Sequence, residues 1–309
     1  MNQDTKHHME RIVDDCMFTE DLNLLLKAFI TDKEQERSSW SQITLYTHYM
    51  LGGTSPHIHR IAAVTELMIL CSDIIDDLQD QDQWDKAWMQ CPQAVALNAV
   101  FALFTGVVGE LGKLQVSERA LVEISKIISR SLNGQHKDVT NAALTEDDYL
   151  NMTQEKSGSV FRLACFMGYS FVDCPDATIE QLHELADCLG LIHQIQNDMR
   201  DIVRMDEKSD LLRKKRTLPV LYLLLIEDEA FSALKAYYDG HMTEDFLLDE
   251  KEKILQMIQD SGCLEYSHVV QTLCLQKAEE IYTNLKVISP WKEKFKEITF
   301  ASFLDARLS

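Results

Sequence analysis

The chain reads as an all-α protein, a single-domain bundle of ten or more helices around a deep central cavity. Three observations point there. The 309 residues carry only 11 Gly and 5 Pro, with no Gly/Ser linker, low-complexity tract or clear repeat. Leu, Ala, Glu, Lys and Gln, all good helix formers, are abundant. Apolar residues recur at i, i+3 and i+4, and nowhere alternate with period two for long enough to make a sheet. One domain spanning 1–309 would bury roughly three quarters of its unfolded surface.

The elements follow in order. EDLNLLLKAFIT (20–31) is an amphipathic helix. A second spans 38–51 and stops at Gly52-Gly53, and the turn TSP separates it from a long helix over 57–80. Helices over 93–113 and 117–135 come next. Another runs over 146–172 and breaks at Cys174-Pro175. The last four spans are 178–204, 216–238, 244–260 and 264–286. Helices of this length enclose a deep space, hence the expected cavity.

Charge and composition exclude some functions. A formal net charge of −20 repels the DNA backbone and anionic lipid, so no nucleic-acid partner is expected, and a basic or hydrophobic peptide is a more comfortable one. The N-terminus MNQDTKHHMERIVDD lacks the cationic-then-apolar order of a signal peptide. The longest apolar run, LPVLYLLLI, has nine residues and a proline, so no membrane span is expected. None of the eight cysteines forms CxxC, and Cys71, Cys165 and Cys274 sit in apolar helical patterns. They read as buried free thiols of a cytoplasmic protein.

The stretch CSDIIDDLQDQD places Asp73, Asp76, Asp77 and Asp80 at i, i+3, i+4 and i+7, on one helical face. Like charges so arranged destabilise a helix. The stripe is either a solvated, frayed helix end or a site for an external cation, and carboxylate oxygens suit Mg²⁺. A second segment favours the cation. In LIHQIQNDMRD, Gln194, Asn197, Asp198 and Asp201 repeat the spacing on an otherwise apolar helix. SDLLRKKRTLP adds Lys214, Lys215 and Arg216, NGQHKD adds Gln135 and Asp138, and EKSGS adds Lys156. Two acidic faces with separated basic residues make a cage for metal ions and a diphosphate.

Five motifs in order, over about residues 50–225, resemble the trans-isoprenyl diphosphate synthase family. DDLQD (76–80) is similar to its first aspartate-rich motif, DDxxD. NDMRD (197–201) is similar to the second, with Asn197 for the first Asp. GQHKD (134–138) resembles GQxxD. EKSGSVFRLA (155–164) resembles the KT-G/A segment, with Ser157 for Thr. SDLLRKKRTLP (209–219) resembles SDLxxGKxTLP, with Lys215 as its lysine. The resemblance implies the isoprenoid synthase fold, a homodimer, an allylic diphosphate donor, and two to three Mg²⁺ per site. Asp76 and Asp80 would ligate metal, with Asp73 and Asp77 as further ligands or behind them, and Asn197 and Asp201 would hold another ion. Lys156, Gln194, Lys215 and Arg216 would bind diphosphate, Lys156 and Lys215 as the catalytic cations. Met68, Cys71 and Ser72 would line the prenyl pocket. The small Cys71 and Ser72 lean towards a farnesyl donor, with geranyl open.

Two departures bear on the acceptor. Elongating synthases carry a basic GGKRxRP-like segment and an Arg-Arg pair after the first motif, and these hold isopentenyl diphosphate. Here the segments read GGTSPHIHRIAA, with Arg60 alone, and QDQWDKAWMQ, with Lys86 alone. That pattern predicts an acceptor without a diphosphate. It resembles the ComQ-like isoprenyl transferases of bacterial competence and quorum sensing, in EDLNLLLKAFI, ELMILCSDIIDDLQDQD, DKAWM and GQHKDVTNAALTEDD. The resemblance implies transfer to a tryptophan of a ComX-type precursor peptide in pheromone maturation. The alternative enzyme is a short-chain polyprenyl diphosphate synthase. A non-catalytic regulatory subunit has no need of the intact DDLQD and Lys215. A terpene cyclase sits poorly with SDLLRKKRTLP. Bland roles suit the rest: His57 and His59 on the surface, His193 filling volume, Trp84 and Trp88 in packing, and Glu146, Asp147 and Asp148 as a helix cap.

Overall fold

The computed structural model describes residues 1–36, 39–204 and 209–305. Ser38, the first residue of the second expected helix, lies outside them. Every regular element among the described residues is helical. In chain order they are α1 (Gln3–Cys16), α2 (Glu20–Gln35), α3 (Trp40–Met50), α4 (Ile58–Asp80), α5 (Ala87–Gln90), α6 (Gln93–Lys113), α7 (Glu118–Val139) and α8 (Glu146–Thr153). There follow α9 (Ser159–Tyr169), α10 (Asp176–Asp201), α11 (Leu218–Leu225), α12 (Ser232–Tyr238), α13 (Asp245–Asp249), α14 (Lys251–Asp260), α15 (Cys263–Asn284), α16 (Trp291–Thr299) and α17 (Ala301–Asp305).

The differences from the expected spans have local causes. The expected helix over 146–172 is interrupted by a π-helical turn, Gln154–Gly158. The span 216–238 breaks where Ile226 turns extended, and Asp228 then caps a short 3₁₀ turn at Glu229–Phe231. α1 was not expected: its apolar positions Met9, Ile12 and Val13 are few, and Asn2 caps it by accepting the Thr5 N–H at 2.8 Å. The acidic run after Thr145 is the anticipated cap, a full capping box with Asp148.

The chain forms two compact units: unit 1 is Met1–Ser129, Val160–His183 and Asn284–Ser309, and unit 2 is Arg130–Ser159 and Glu184–Thr283. The core of unit 1 is α4, on which α1, α3 and α6 pack. Every residue of α4 from Ile61 to Cys71 is buried, so this helix has no solvent face along three turns. Within it Glu66, fully buried, accepts the backbone N–H of Ser41 at 2.8 Å and so satisfies a donor at the start of α3. At Ser72 burial gives way, and the aspartate stripe occupies the half-buried end of the helix.

α6 is a longer apolar segment than the nine-residue run noted in the sequence. Its 21 residues are long and apolar enough by composition to cross one, with a mean hydropathy of 1.8 over its most apolar window. Alanines and small residues on one side pack into unit 1, while Leu97, Phe101, Phe104 and Val108 stand exposed on the other.

Among the described residues of unit 2, apolar side chains gather in at least two clusters. One gathers Tyr149, Met152, Leu191, Ile195, Leu218 and Leu221. Another packs α11, α12 and α14 around Val220, Leu223, Leu234, Ile254 and Ile258. The cavity of about 30 Å³ beside Leu223, Phe231 and Ile258 has room for a water and none for an isoprenoid. Close backbone approaches hold the rest of this unit together. A Cβ on Gly134 would stand 2.3 Å from the Lys156 nitrogen, and one on Gly190 would stand 2.3 Å from the Gly158 nitrogen. Both obstacles are backbone, which cannot rotate away. Gly190→Ala is therefore expected to destabilise the protein by ~2 kcal/mol or more, seen as a lower Tm in thermal unfolding; an unchanged Tm would show that this crossing has slack.

Candidate active site

The first acidic stripe lies in unit 1. Asp73 pairs with Lys33, a lysine of α2 that is only 4% exposed. Asp77 accepts the indole N–H of Trp88 at 2.7 Å. Trp88 is fully buried and meets Phe29 edge-on, with ring centroids 5.8 Å apart, so the donor has one orientation. Burial pushes the Asp77 carboxyl up to about 7, the nearby Asp82 and Asp76 charges add to this, and the Trp88 hydrogen bond opposes it. Burial raises Asp73 as well, against the pull of Lys33. The sequence places both aspartates among possible ligands; here each is engaged by the protein, Asp73 by an ammonium and Asp77 through one oxygen. Asp76 and Asp80 are half-buried on the same face. Trp88 does more than pack, and the signal for it was its position, eleven residues after Asp77.

Of the expected prenyl-pocket residues, Met68 is buried and Ser72 is exposed, its hydroxyl donating to the Met68 carbonyl at 3.4 Å. Cys71 turns to α6, its thiol 3.8 Å from the Val100 carbonyl, and burial pushes that thiol up to about 12.

The second set lies in unit 2, and the close backbone approaches at Gly134 and Gly190 assemble it. Where the end of α7 meets the π-helical turn, Lys156 Nζ and Asp138 Oδ2 are 2.6 Å apart. Where α10 meets that turn, the Ser157 hydroxyl donates to Gln194 Oε1 at 3.1 Å. Gln194 Nε2 then donates to Asp198 Oδ1 at 2.9 Å, and the buried Tyr149 hydroxyl donates to Asp198 Oδ2 at 2.5 Å. Arg130 braces the π-helical turn, donating to the Gln154 carbonyl at 2.7 Å and to Ser159 Oγ at 2.9 Å. A π-turn commonly marks a functional position in a helix, and here it bears the lysine.

Burial pushes Asp198 up to about 6, against its two hydrogen bonds, with Asp138 adding to the rise and Lys215 opposing it. Burial would also raise Asp138, but Lys156 and Lys215 outweigh it and hold that carboxyl low. Burial raises Asp210 well above the carboxylate range, and Asp198 reinforces it. The segment bearing Asp210 and Lys215 is tied down by α12: Tyr237 donates to the Leu212 carbonyl at 2.9 Å and Tyr238 to the Lys215 carbonyl at 3.1 Å.

Asp198, Asp210 and Tyr149 thus belong with the expected residues of unit 2. Asp198 shares the face already noted in the sequence. Asp210 lies five residues before Lys215, and only the fold turns it inward. Asn197, in contrast, is exposed, and Asp201 faces Arg200 and Arg204, 3.1 and 3.7 Å from its Oδ1. Arg216 is half-buried in the tied segment.

These carboxylates fit a hard divalent cation. No three acidic, histidine or cysteine side chains among the described residues close a cage by themselves. Mg²⁺ does not need one, since it keeps waters and bridges carboxylates to phosphates. Asp210 Oδ2 is buried and has no hydrogen-bond partner among the described residues. An orphaned buried carboxylate oxygen is costly, and a cation would relieve it.

Asp198 sets a pH dependence. Its folded value, about 6, lies above the ordinary 3.8, so the native state holds a proton that the unfolded chain has lost between those limits. Stability from this group therefore falls as pH rises through that window. In Mg²⁺-free buffer, Asp198→Asn is expected to gain stability relative to the unsubstituted chain between about pH 4 and 6 and to level off above. Denaturant melts across that range check it, and a pH-independent difference would refute the burial argument.

A family model described as Polyprenyl synthetase matches residues 39–258. The tryptophan prenyltransferase ComQ of Bacillus subtilis strain 168 is 31% identical over 293 residues, 94% of this chain and 95% of that protein. A decaprenyl diphosphate synthase from Rhodobacter capsulatus shares the fold, with a TM-score of 0.80 at 19% identity over 99% of this chain and 96% of that one. So does a polyprenyl synthase from Caulobacter crescentus solved with calcium and isoprenyl diphosphate, with a TM-score of 0.78 at 19% identity over 95% and 92% of the two chains. The chain belongs to the polyprenyl synthetase family, with an all-α fold and the prenyl-transferring chemistry of that family.

Proposed function

We propose that the chain transfers a geranyl or farnesyl group from its diphosphate to a tryptophan of a ComX-type precursor peptide, with two or three Mg²⁺ per site. One observation carries the choice of acceptor. The lone cations left in the two segments that are basic in elongating synthases are both taken by carboxylates of the chain. Arg60 Nε donates to Glu110 Oε1 at 2.7 Å, and Lys86 Nζ donates to Glu36 Oε1 at 2.5 Å. An indole needs neither. The likeness to a tryptophan prenyltransferase along 94% of the chain supports the same acceptor.

In this reading Asp76 and Asp80 hold metal on the first stripe, with Asp77 steadied by Trp88. Asp198, Asp210, Asn197 and Asp201 serve the second set. Bound there, Mg²⁺ supplies Lewis-acid charge for the departing diphosphate. Lys156 and Lys215 add positive charge where negative charge develops. The allylic C1–O bond breaks and its electron pair stays on the diphosphate. Indole C3 of the peptide tryptophan attacks C1, which leaves the positive charge on the indole C2–N unit. The peptide nitrogen closes onto C2, and its proton passes to the diphosphate.

The test is a paired assay with Mg²⁺ and geranyl or farnesyl diphosphate, offering a ComX-type peptide in one tube and isopentenyl diphosphate in the other. Mass spectrometry is expected to find a peptide heavier by one prenyl group. Asp76→Ala should lower that rate at least ~100-fold, on the scale of lost electrostatic stabilisation. A longer diphosphate with an untouched peptide would instead identify a short-chain synthase.

We further propose that the protein works in the cytoplasm as a homodimer. All eight cysteines are free thiols, which suits a reducing compartment. The outer face of α6 offers Leu97, Phe101, Phe104 and Val108 at helical spacing, with Phe101 74% exposed. A second copy is the occupant that keeps such a stripe from water. Phe101→Glu should convert a dimer to a monomer in light scattering after size exclusion; an unchanged mass would remove this face from the interface.

A further inference from the structure

Four charged side chains meet beside the first acidic stripe in unit 1. Lys33 Nζ lies 2.8 Å from Glu36 Oε2 and also contacts Asp73 Oδ2. Lys86 Nζ lies 2.5 Å from Glu36 Oε1. One carboxylate therefore spans two ammonium groups, giving one oxygen to each. Their positions are built in. Phe29, Asp32 and Lys33 fall at i, i+3 and i+4 on α2, and Glu36, at i+7, is the αR residue that caps its C-terminus. Phe29 receives Trp88, and Asp32 Oδ2 accepts the Ala87 N–H at 2.6 Å. The backbone that follows the Lys86 stem is thus pinned to the helix that Glu36 caps. The side chains of Lys33 and Lys86 are 5% and 16% exposed.

The four charges cancel. Burial works against ionisation of Glu36, but Lys33 and Lys86 together overcome it and hold its carboxyl below the usual range. Without the Glu36 charge, the two ammonium groups would face each other a carboxylate's width apart, with Asp73 left as the balancing carboxylate among the described residues. Two lysines at such spacing are what a diphosphate binds, as point charges on its oxygens.

We infer that Glu36 is a specificity-determining residue: it occupies the two lysines beside the first acidic stripe, withholds them from a second diphosphate, and so favours an acceptor without one. The inference rests on the proposed peptide acceptor for its meaning, but its physical content is the binding of an anion.

The test compares isopentenyl diphosphate binding to the full chain in Mg²⁺ by titration calorimetry. Glu36→Gln keeps the shape and removes the charge. It is expected to tighten binding about tenfold, as one partly screened charge at a part-buried site would do. The gain should shrink with added salt and vanish in Glu36→Gln/Lys86→Met. A folded Glu36→Gln protein with unchanged affinity overturns the inference, and so does a gain that survives loss of Lys86. A complementary variant covers a Glu36→Gln chain that does not fold. Lys86→Met alone removes a lysine that is already neutralised, so affinity should stay as it was; a marked loss would mean that Lys86 serves anions despite Glu36. Peptide alkylation by the unsubstituted chain is scored separately. Its failure would sink the proposed function and leave the binding comparison standing, whereas unchanged binding sinks the role of Glu36 alone.

Discussion

Unit 2 depends on backbone meeting backbone without side chains between. Gly134 brings the end of α7 against the Lys156 nitrogen, and Gly190 brings α10 against Gly158. The chemistry of this unit follows from those approaches. Lys156 reaches Asp138, Ser157 reaches Gln194, and Gln194 with Tyr149 fixes Asp198. A methyl group at either glycine would part these partners by more than a hydrogen bond can stretch.

Charge placement is the second constraint. With 30 basic residues against 50 acidic ones, where each cation goes matters more than how many there are. In unit 1, Lys33, Arg60 and Lys86 are all paired with carboxylates of the chain. In unit 2, Lys156 and Lys215 act on buried carboxylates that burial alone would neutralise, and keep Asp138 ionised. A cation paired within the chain binds an anion only when its carboxylate partner is taken over, as a metal would do for Asp138 beside Lys156. Cations set among carboxylates with an orphaned oxygen suit a site where metal and phosphate arrive together.

Much of this was legible in the sequence. Helical periodicity places α4, α6 and α10 to within a few residues, because long amphipathic or buried helices repeat their signal over many turns. The aspartate faces on α4 and α10 follow from spacing alone. The loss of basic residues around Arg60 and Lys86 was visible as well. The interruption at Gln154–Gly158 was not, since a π-turn has no distinctive pattern and leaves the apolar repeat nearly intact. Nor was the exposure of the outer side of α6, because an apolar residue reads the same whether it meets a core or solvent.

What the sequence determined by itself was local: helix type, the shared faces of the aspartates, and the motif order that identifies the family. Local geometry follows from dihedral preferences and a period of 3.6 residues, which act within one segment. Tertiary structure decided the pairings: Lys33 with Asp73, Trp88 with Asp77, Tyr149 with Asp198, and Glu36 across two lysines. Those partners lie from 3 to 50 residues apart in sequence, and only packing brings most of them within a hydrogen bond. Each carboxylate's charge state depends on that packing too, because burial and the nearest ammonium set it, and neither is a property of the residue itself.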